Sequence, residues 1–132
     1  MLNSLQNNVV LHTPFLQTSY FEAVDTCLDY ELQPVMVKTP AKHDEVARVL
    51  AANDVRVPVY IGLTDVLEDG KWKWFDGSSL SPVLRKWAVG MGGTGPRQCV
   101  TMMGNGYLFN EAQCGITSSH DPMRFACEPQ GN

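Results

Sequence analysis

The stretch that decides the fold is Tyr60-Ile61-Gly62-Leu63, followed after a short interval by Trp72-Lys73-Trp74-Phe75-Asp76-Gly77. The first segment closes the apolar run Val57 to Leu63, which is typical of a buried strand. Turn signals follow at Asp69-Gly70, at Asp76-Gly77 and at Gly104-Asn105-Gly106. Because such turns join neighbouring strands, the C-terminal half is predicted to consist of short antiparallel strands.

The N-terminal half shows helical periodicity instead. Ser19 and Glu22 form a capping-box pattern, and the residues that follow predict a helix with one buried face. The apolar positions of that face are Tyr20, Ala23, Val24, Cys27 and Leu28. Short strands are predicted at 9–11 and 33–37.

A second helix is predicted to begin at Thr39, with Pro40 at its first position, and to end near Asn53. Its apolar stripe is Val46, Val49 and Leu50, while Lys42, Asp44, Glu45 and Arg48 are expected to face water. Two helices followed by strands indicate an α+β fold.

Four cysteines occur, at positions 27, 99, 114 and 127. An even count favours two disulfides and an oxidising compartment, with three possible connectivities. Four free thiols are the alternative. A metal site is less favoured, because no Cys-x-x-Cys pair occurs and no two histidines are closely spaced.

The charge pattern excludes several classes of partner. The chain has a net charge of −4, and its ten basic residues are scattered, so no nucleic-acid partner is expected. No apolar run approaches the roughly 18 residues of a transmembrane segment, and the first residues do not form a signal peptide. The acidic group Asp65, Glu68 and Asp69 is interpreted as a solvated turn.

Residues 78–98 are rich in Ser, Gly and Pro and carry no sustained pattern, so about twenty residues are expected to be irregular; such loops are usually functional. The glycines of 90–96 do not form a phosphate-binding loop, because no strand precedes them and no Lys-Ser or Lys-Thr follows. Met91 and Arg97 are side chains suited to protein contacts, so a binding loop is predicted.

Together these motifs resemble a C-type lectin-like domain. Tyr60 stands in place of the Trp of the Trp-Ile-Gly-Leu motif, Trp72 and Trp74 supply the aromatic pair, and Trp87 matches the tryptophan that precedes the ligand loop. The closing Cys-Glu is present at 127–128. The resemblance covers about residues 9–128, which implies one domain over 1–132 with two helices packed on antiparallel sheets and a long irregular loop.

The resemblance also implies the disulfide pairing. Cys27 would pair with Cys127, closing a loop of roughly 100 residues, and Cys99 with Cys114, closing one of roughly 15. In the chain-entropy model these bridges contribute about 4.7 and about 3 kcal/mol.

The sugar-binding site of this family is only half present. Met91-Gly92-Gly93 replaces the Glu-Pro-Asn or Gln-Pro-Asp tripeptide, whereas Phe109-Asn110-Glu111 is a variant of the second motif and Gln98 stands where an acidic residue is frequent. Calcium prefers six to eight oxygen ligands, so no metal is expected. The alternative is a calcium ion on Asn110 and Glu111.

The resemblance implies an extracellular, non-enzymatic recognition module that binds a protein or other ligand through the long loop, without a cofactor. The candidate ligand-binding residues are Met91, Arg97, Gln98, Asn110 and Glu111. The alternative is a carbohydrate-binding lectin with an altered site around Asn110 and Glu111. A hydrolase is disfavoured: His120 follows Cys114, but a cysteine in a disulfide cannot be a nucleophile.

Overall fold

The computed structural model describes residues 2–14, 18–66, 70–92, 98–115 and 124–131. The elements are β1 (Leu2–Ser4), β2 (Val10–His12), α1 (Tyr20–Asp29), β3 (Leu32–Pro34), α2 (Pro40–Ala52), β4 (Val59–Thr64), β5 (Lys73–Trp74), β6 (Cys99–Met103), β7 (Leu108–Ala112) and β8 (Arg124–Pro129). No helix in these ranges has the length and apolarity required to cross a membrane.

Helix α1 begins where the capping pattern predicts. The Ser19 hydroxyl oxygen accepts a hydrogen bond from the Glu22 N–H, which satisfies one free donor of the first turn. Tyr20, Ala23 and Cys27 are buried. The prediction was wrong for Leu28, which is 39% exposed because it lies at the edge of the apolar stripe, in the last turn.

Helix α2 begins after Thr39, whose hydroxyl accepts from the Lys42 N–H. The predicted stripe Val46, Val49 and Leu50 is buried. Lys42 does not simply face water: its Nζ donates to Oε1 of the buried Glu128 over 2.9 Å. The other Glu128 oxygen accepts from the Met36 N–H over 3.0 Å, so this carboxylate connects α2, β8 and the segment after β3.

The strands form one mixed sheet in the order β1-β2-β8-β4-β6-β7, with β3 added beside β8 and β5 beside β4. Most neighbours are antiparallel, as predicted, but β4 and β8 are parallel, with Val59 opposite Arg124 and Tyr60 opposite Phe125. The parallel pairing is possible because β5, β6, β7 and the long loop lie between these two strands in the chain, so no hairpin connects them. Strand β1 was not predicted.

Both disulfides that the resemblance implies are formed. Cys27–Cys127 joins α1 to β8, and both of its residues are fully buried. Cys99–Cys114 joins the start of β6 to the segment after β7. The Cys114 carbonyl also accepts from the Tyr20 N–H over 2.8 Å, so the second bridge fixes the beginning of α1.

The larger part of the core lies between α2 and the sheet. Its largest fully buried side chains include Phe109, Leu50, Ile61, Leu63 and Met102. Trp74 and Trp87 contact Phe109 edge-on, with ring centroids 6.2 Å and 5.6 Å apart. Phe109 therefore lies directly beneath Trp87 of the long loop.

Candidate functional site

The base of the long loop is attached to β7 almost like an additional strand. Trp87 forms a parallel bridge with Phe109, whose N–H donates to the Lys86 carbonyl over 2.7 Å and whose carbonyl accepts from the Ala88 N–H over 3.0 Å. The Trp87 ring packs against Phe109 on one side and Trp72 on another, with 5.0 Å between the two tryptophan rings. Trp87 thus anchors the loop to β7 and to the aromatic side chains beneath it.

Gly92 is the second attachment point of the loop. Its φ of +85° is a conformation that favours glycine, and a Cβ at this position would lie 2.8 Å from the Trp87 ring. Its N–H donates to Oε1 of Glu111 on β7 over 2.6 Å. A charged acceptor makes this a strong hydrogen bond, so one carboxylate determines where the chain runs after Trp87.

Residues 88–92, which we call the loop tip, present apolar side chains to solvent. Val89 is fully exposed and Met91 is 39% exposed. The Met91 N–H donates to the Ala88 carbonyl over 3.0 Å, so Val89 projects from a hydrogen-bonded turn. Of the predicted site residues, Met91 and Glu111 are therefore brought together at the loop tip.

The other predicted site residues are placed differently. Asn110 is half-buried on β7 opposite Thr101, and its Nδ2 donates to the Leu108 carbonyl over 3.2 Å. Gln98 lies at the other end of the loop, directly before β6. Arg97 and His120 lie outside the described residues.

Asp65, which follows β4, corrects the interpretation of a solvated acidic turn. It is only 1% exposed. Its Oδ1 accepts from the Gln98 N–H over 2.6 Å, and its own N–H donates to the Gln98 carbonyl over 3.2 Å. Asp65 thereby positions the return of the loop into β6. The position of Asp65 directly after an apolar strand was the sequence signal that it could be buried. The nearby Glu68 and Asp69, which lie outside the described residues, made a surface turn the simpler interpretation.

The oxygen ligands that this site offers to calcium are few. Glu111 uses one carboxylate oxygen to accept from Gly92, and the residues Met91 and Gly92 contribute no side-chain oxygen. Asn110, Glu111 and Gln98 together supply fewer side-chain oxygens than the six to eight ligands that calcium takes. Over the described ranges, no three His, Cys, Asp or Glu side chains are grouped as metal ligands. The described residues do not fit a high-affinity calcium site.

Comparisons with known proteins give the family. The family model "Lectin C-type domain" matches residues 16–128. The CD209 antigen of Nomascus concolor is 28% identical over 102 residues, which are 76% of this chain and 24% of that protein. The chain spans about a quarter of the length of the curated relatives it matches.

Solved structures agree on the fold. The mouse scavenger receptor C-type lectin carbohydrate-recognition domain has a TM-score of 0.73 and 21% identity, over 98% of this chain and 97% of that chain. The cow C-type carbohydrate-recognition domain of CD23, solved in the presence of GlcNAc2Man3 oligosaccharide, has a TM-score of 0.71 and 20% identity, over 98% and 95%. The family model covers most of the chain, and the two disulfides and the mixed sheet are consistent with it. This chain therefore belongs to the C-type lectin domain family.

Proposed function

We propose that this domain is an extracellular, non-enzymatic recognition module that binds a protein ligand through its loop tip without calcium. The observation that carries the proposal is the 2.6 Å hydrogen bond from the Gly92 N–H to Glu111. In this chain the carboxylate that resembles a calcium ligand holds the loop backbone directly. The loop tip is thus ordered by the protein itself.

The chemistry of the loop tip favours a protein ligand. Val89 and Met91 provide an exposed aliphatic and thioether surface, and contacts of this kind suit the apolar centre of a protein interface. Sugar hydroxyls require polar partners, which neither side chain provides. The two disulfides support an oxidising, extracellular location, and the bridge at Cys114 argues against a cysteine nucleophile.

Calcium dependence is tested by calorimetric titration of chelator-treated protein together with its melting temperature. We expect no saturable heat and no rise in melting temperature at millimolar calcium. Glu111→Gln is the matched variant, because it keeps an acceptor for the Gly92 N–H but removes the charge. Saturable heat that Glu111→Gln abolishes would contradict the calcium-free proposal.

The protein ligand is tested with an array of extracellular protein domains, probed with wild type, Val89→Asp and Val83→Asp. Val83 is 74% exposed but lies outside the loop tip, so it controls for the added charge. We expect Val89→Asp to lose binding and Val83→Asp to keep it. Equal loss in both variants, or binding to no protein on the array, would count against the proposal.

A second candidate is a lectin with an altered site. The bond to Gly92 uses one oxygen of Glu111, so its second oxygen and the half-buried amide of Asn110 could contact sugar hydroxyls. A glycan array in buffers with and without calcium distinguishes this candidate. Binding that Asn110→Ala removes and Val89→Asp leaves intact would favour it over the protein ligand.

A further inference from the structure

A cavity of about 250 Å³ lies between α1 and the β4–β5 hairpin, away from the loop tip. Aromatic rings form its walls: Tyr20 and Phe21 come from α1, and Trp74 and Phe75 from the end of the hairpin. Phe21 and Phe75 are 50% and 40% exposed, so two large apolar side chains remain in water at its rim. Exposed apolar surface of this kind, gathered around a hollow, is typical of a binding site.

Gly62 of β4 forms part of the floor of this cavity. Side chains alternate between the two faces of a strand, so Gly62 and Thr64 of β4 share one face. A Cβ on Gly62 would meet the Pro34 Cβ at 3.0 Å and the Phe75 Cβ at 3.3 Å. The absence of a side chain therefore lets β4 pack closely against Pro34 and Phe75, and this close packing forms the floor of the cavity.

Two polar donors stand together at this cavity. Thr64 and Lys73 are directly opposite each other in the β4–β5 ladder, so their side chains emerge side by side, and both line the cavity. The Thr64 hydroxyl oxygen accepts from the Val66 N–H, which leaves the hydroxyl proton to donate. None of the ion pairs between described residues includes Lys73.

We propose that this cavity is a second binding site, which takes a small molecule that joins an aryl or alkyl group to a carboxylate. The carboxylate accepts from the Lys73 ammonium and the Thr64 hydroxyl. The apolar group lies between Phe21 and Phe75 and contacts the Tyr20 ring.

Charge complementarity favours a carboxylate over a neutral or cationic ligand. Lys73 is the single charged side chain among the described residues that line the cavity. Burial raises the pKa of Tyr20, so its phenol remains uncharged at neutral pH and does not repel an anion. The cavity is somewhat smaller than the roughly 300–1,000 Å³ of sites for drug-sized molecules, which points to a single ring or a short chain.

The test is a titration with 3-phenylpropionate, followed by backbone amide NMR shifts and by calorimetry. We expect saturable shifts at cavity residues with a Kd on the order of 1 mM, as suits so small a ligand. Lys73→Met should raise the Kd of 3-phenylpropionate about fivefold. The neutral 3-phenylpropanamide should bind the wild type about fivefold more weakly than 3-phenylpropionate does. Val24→Trp, which fills the cavity from α1, should abolish binding.

Lys71→Met is the matched control, because Lys71 is two residues away and is not among the described residues that line this cavity. It should leave the Kd within about twofold of the wild-type value. Far-UV circular dichroism and melting temperature verify that each variant is folded. Absence of saturable shifts at about 20 mM ligand, or equal binding by wild type and Lys73→Met, would overturn the proposal.

Discussion

Replacing Gly92 by alanine should release the loop tip from the body of the domain. Two costs add at this position. A φ of +85° is unfavourable for alanine by about 1–2 kcal/mol. The new Cβ would also lie 2.8 Å from the Trp87 ring, where ordinary contacts are about 3.5–4.0 Å. The ring cannot move away freely, because it packs on Trp72 and Phe109, so overpacking adds about 1–3 kcal/mol.

The expected free-energy cost of Gly92→Ala is therefore about 2–5 kcal/mol, measured by urea unfolding with tryptophan fluorescence and circular dichroism. Gly90→Ala is the matched control: Gly90 has a φ of +81° but open space around its Cβ position. It should cost only the backbone part, about 1–2 kcal/mol. If both variants lose the same stability, the contact between Gly92 and Trp87 does not constrain the loop, and this reasoning is refuted.

Three further predictions concern stability. Replacing Cys99 and Cys114 together by alanine should lower the free energy of unfolding by about 3 kcal/mol in urea titration, and a loss below about 1 kcal/mol would contradict a structural role. Asp65→Ala should cost about 2–4 kcal/mol because the half-buried Gln98 N–H loses its carboxylate acceptor and the buried Asp65 site is left empty, and Asp65→Asn, which keeps one carbonyl, should cost less in the same assay. The hydrogen bond from Lys38 lowers the pKa of Asp76 to about 2, below the pKa of an aspartate in the unfolded chain. The ionised Asp76 side chain therefore stabilises the folded state above about pH 4, and this stabilisation disappears as the pH falls towards 2. Because both side chains are exposed, the free energy of unfolding of the wild type should fall by at most about 1 kcal/mol more than that of Asp76→Asn between about pH 4 and about pH 2, measured by urea titration. An equal fall in both proteins would show that the Lys38–Asp76 pair contributes nothing.

Much of the fold follows from local patterns. Ser19 and Thr39 cap the two helices as predicted, since capping depends on residues only three positions apart. The helical stripe of α2 is buried, and the strand at 59–64 forms. The parallel pairing of β4 with β8 was not predicted, because it joins segments distant in the chain and neither segment carries a signal for its partner.

The candidate site was predicted only in part. The sequence assigned both Met91 and Glu111 to ligand binding, with a calcium ion on Glu111 as the alternative. In the structure, the Glu111 carboxylate accepts a hydrogen bond from the Gly92 N–H and so holds the loop. Asp65 was assigned to the surface, although it is buried against the backbone of Gln98. In both cases the partner lies in or beside an irregular loop, whose path has no periodicity to predict it.

The amino-acid sequence by itself therefore determined the family, the two helices and their caps. Through the family resemblance, it also determined the cysteine pairing. These features depend on near neighbours or on a spacing of motifs that the chain displays directly. Tertiary structure alone decided that one carboxylate orders the loop tip and that Gly62, Thr64 and Lys73 border a cavity under α1. The physical reason is that a hydrogen bond or a cavity requires groups from separate segments to meet, and only the packed chain brings them within reach.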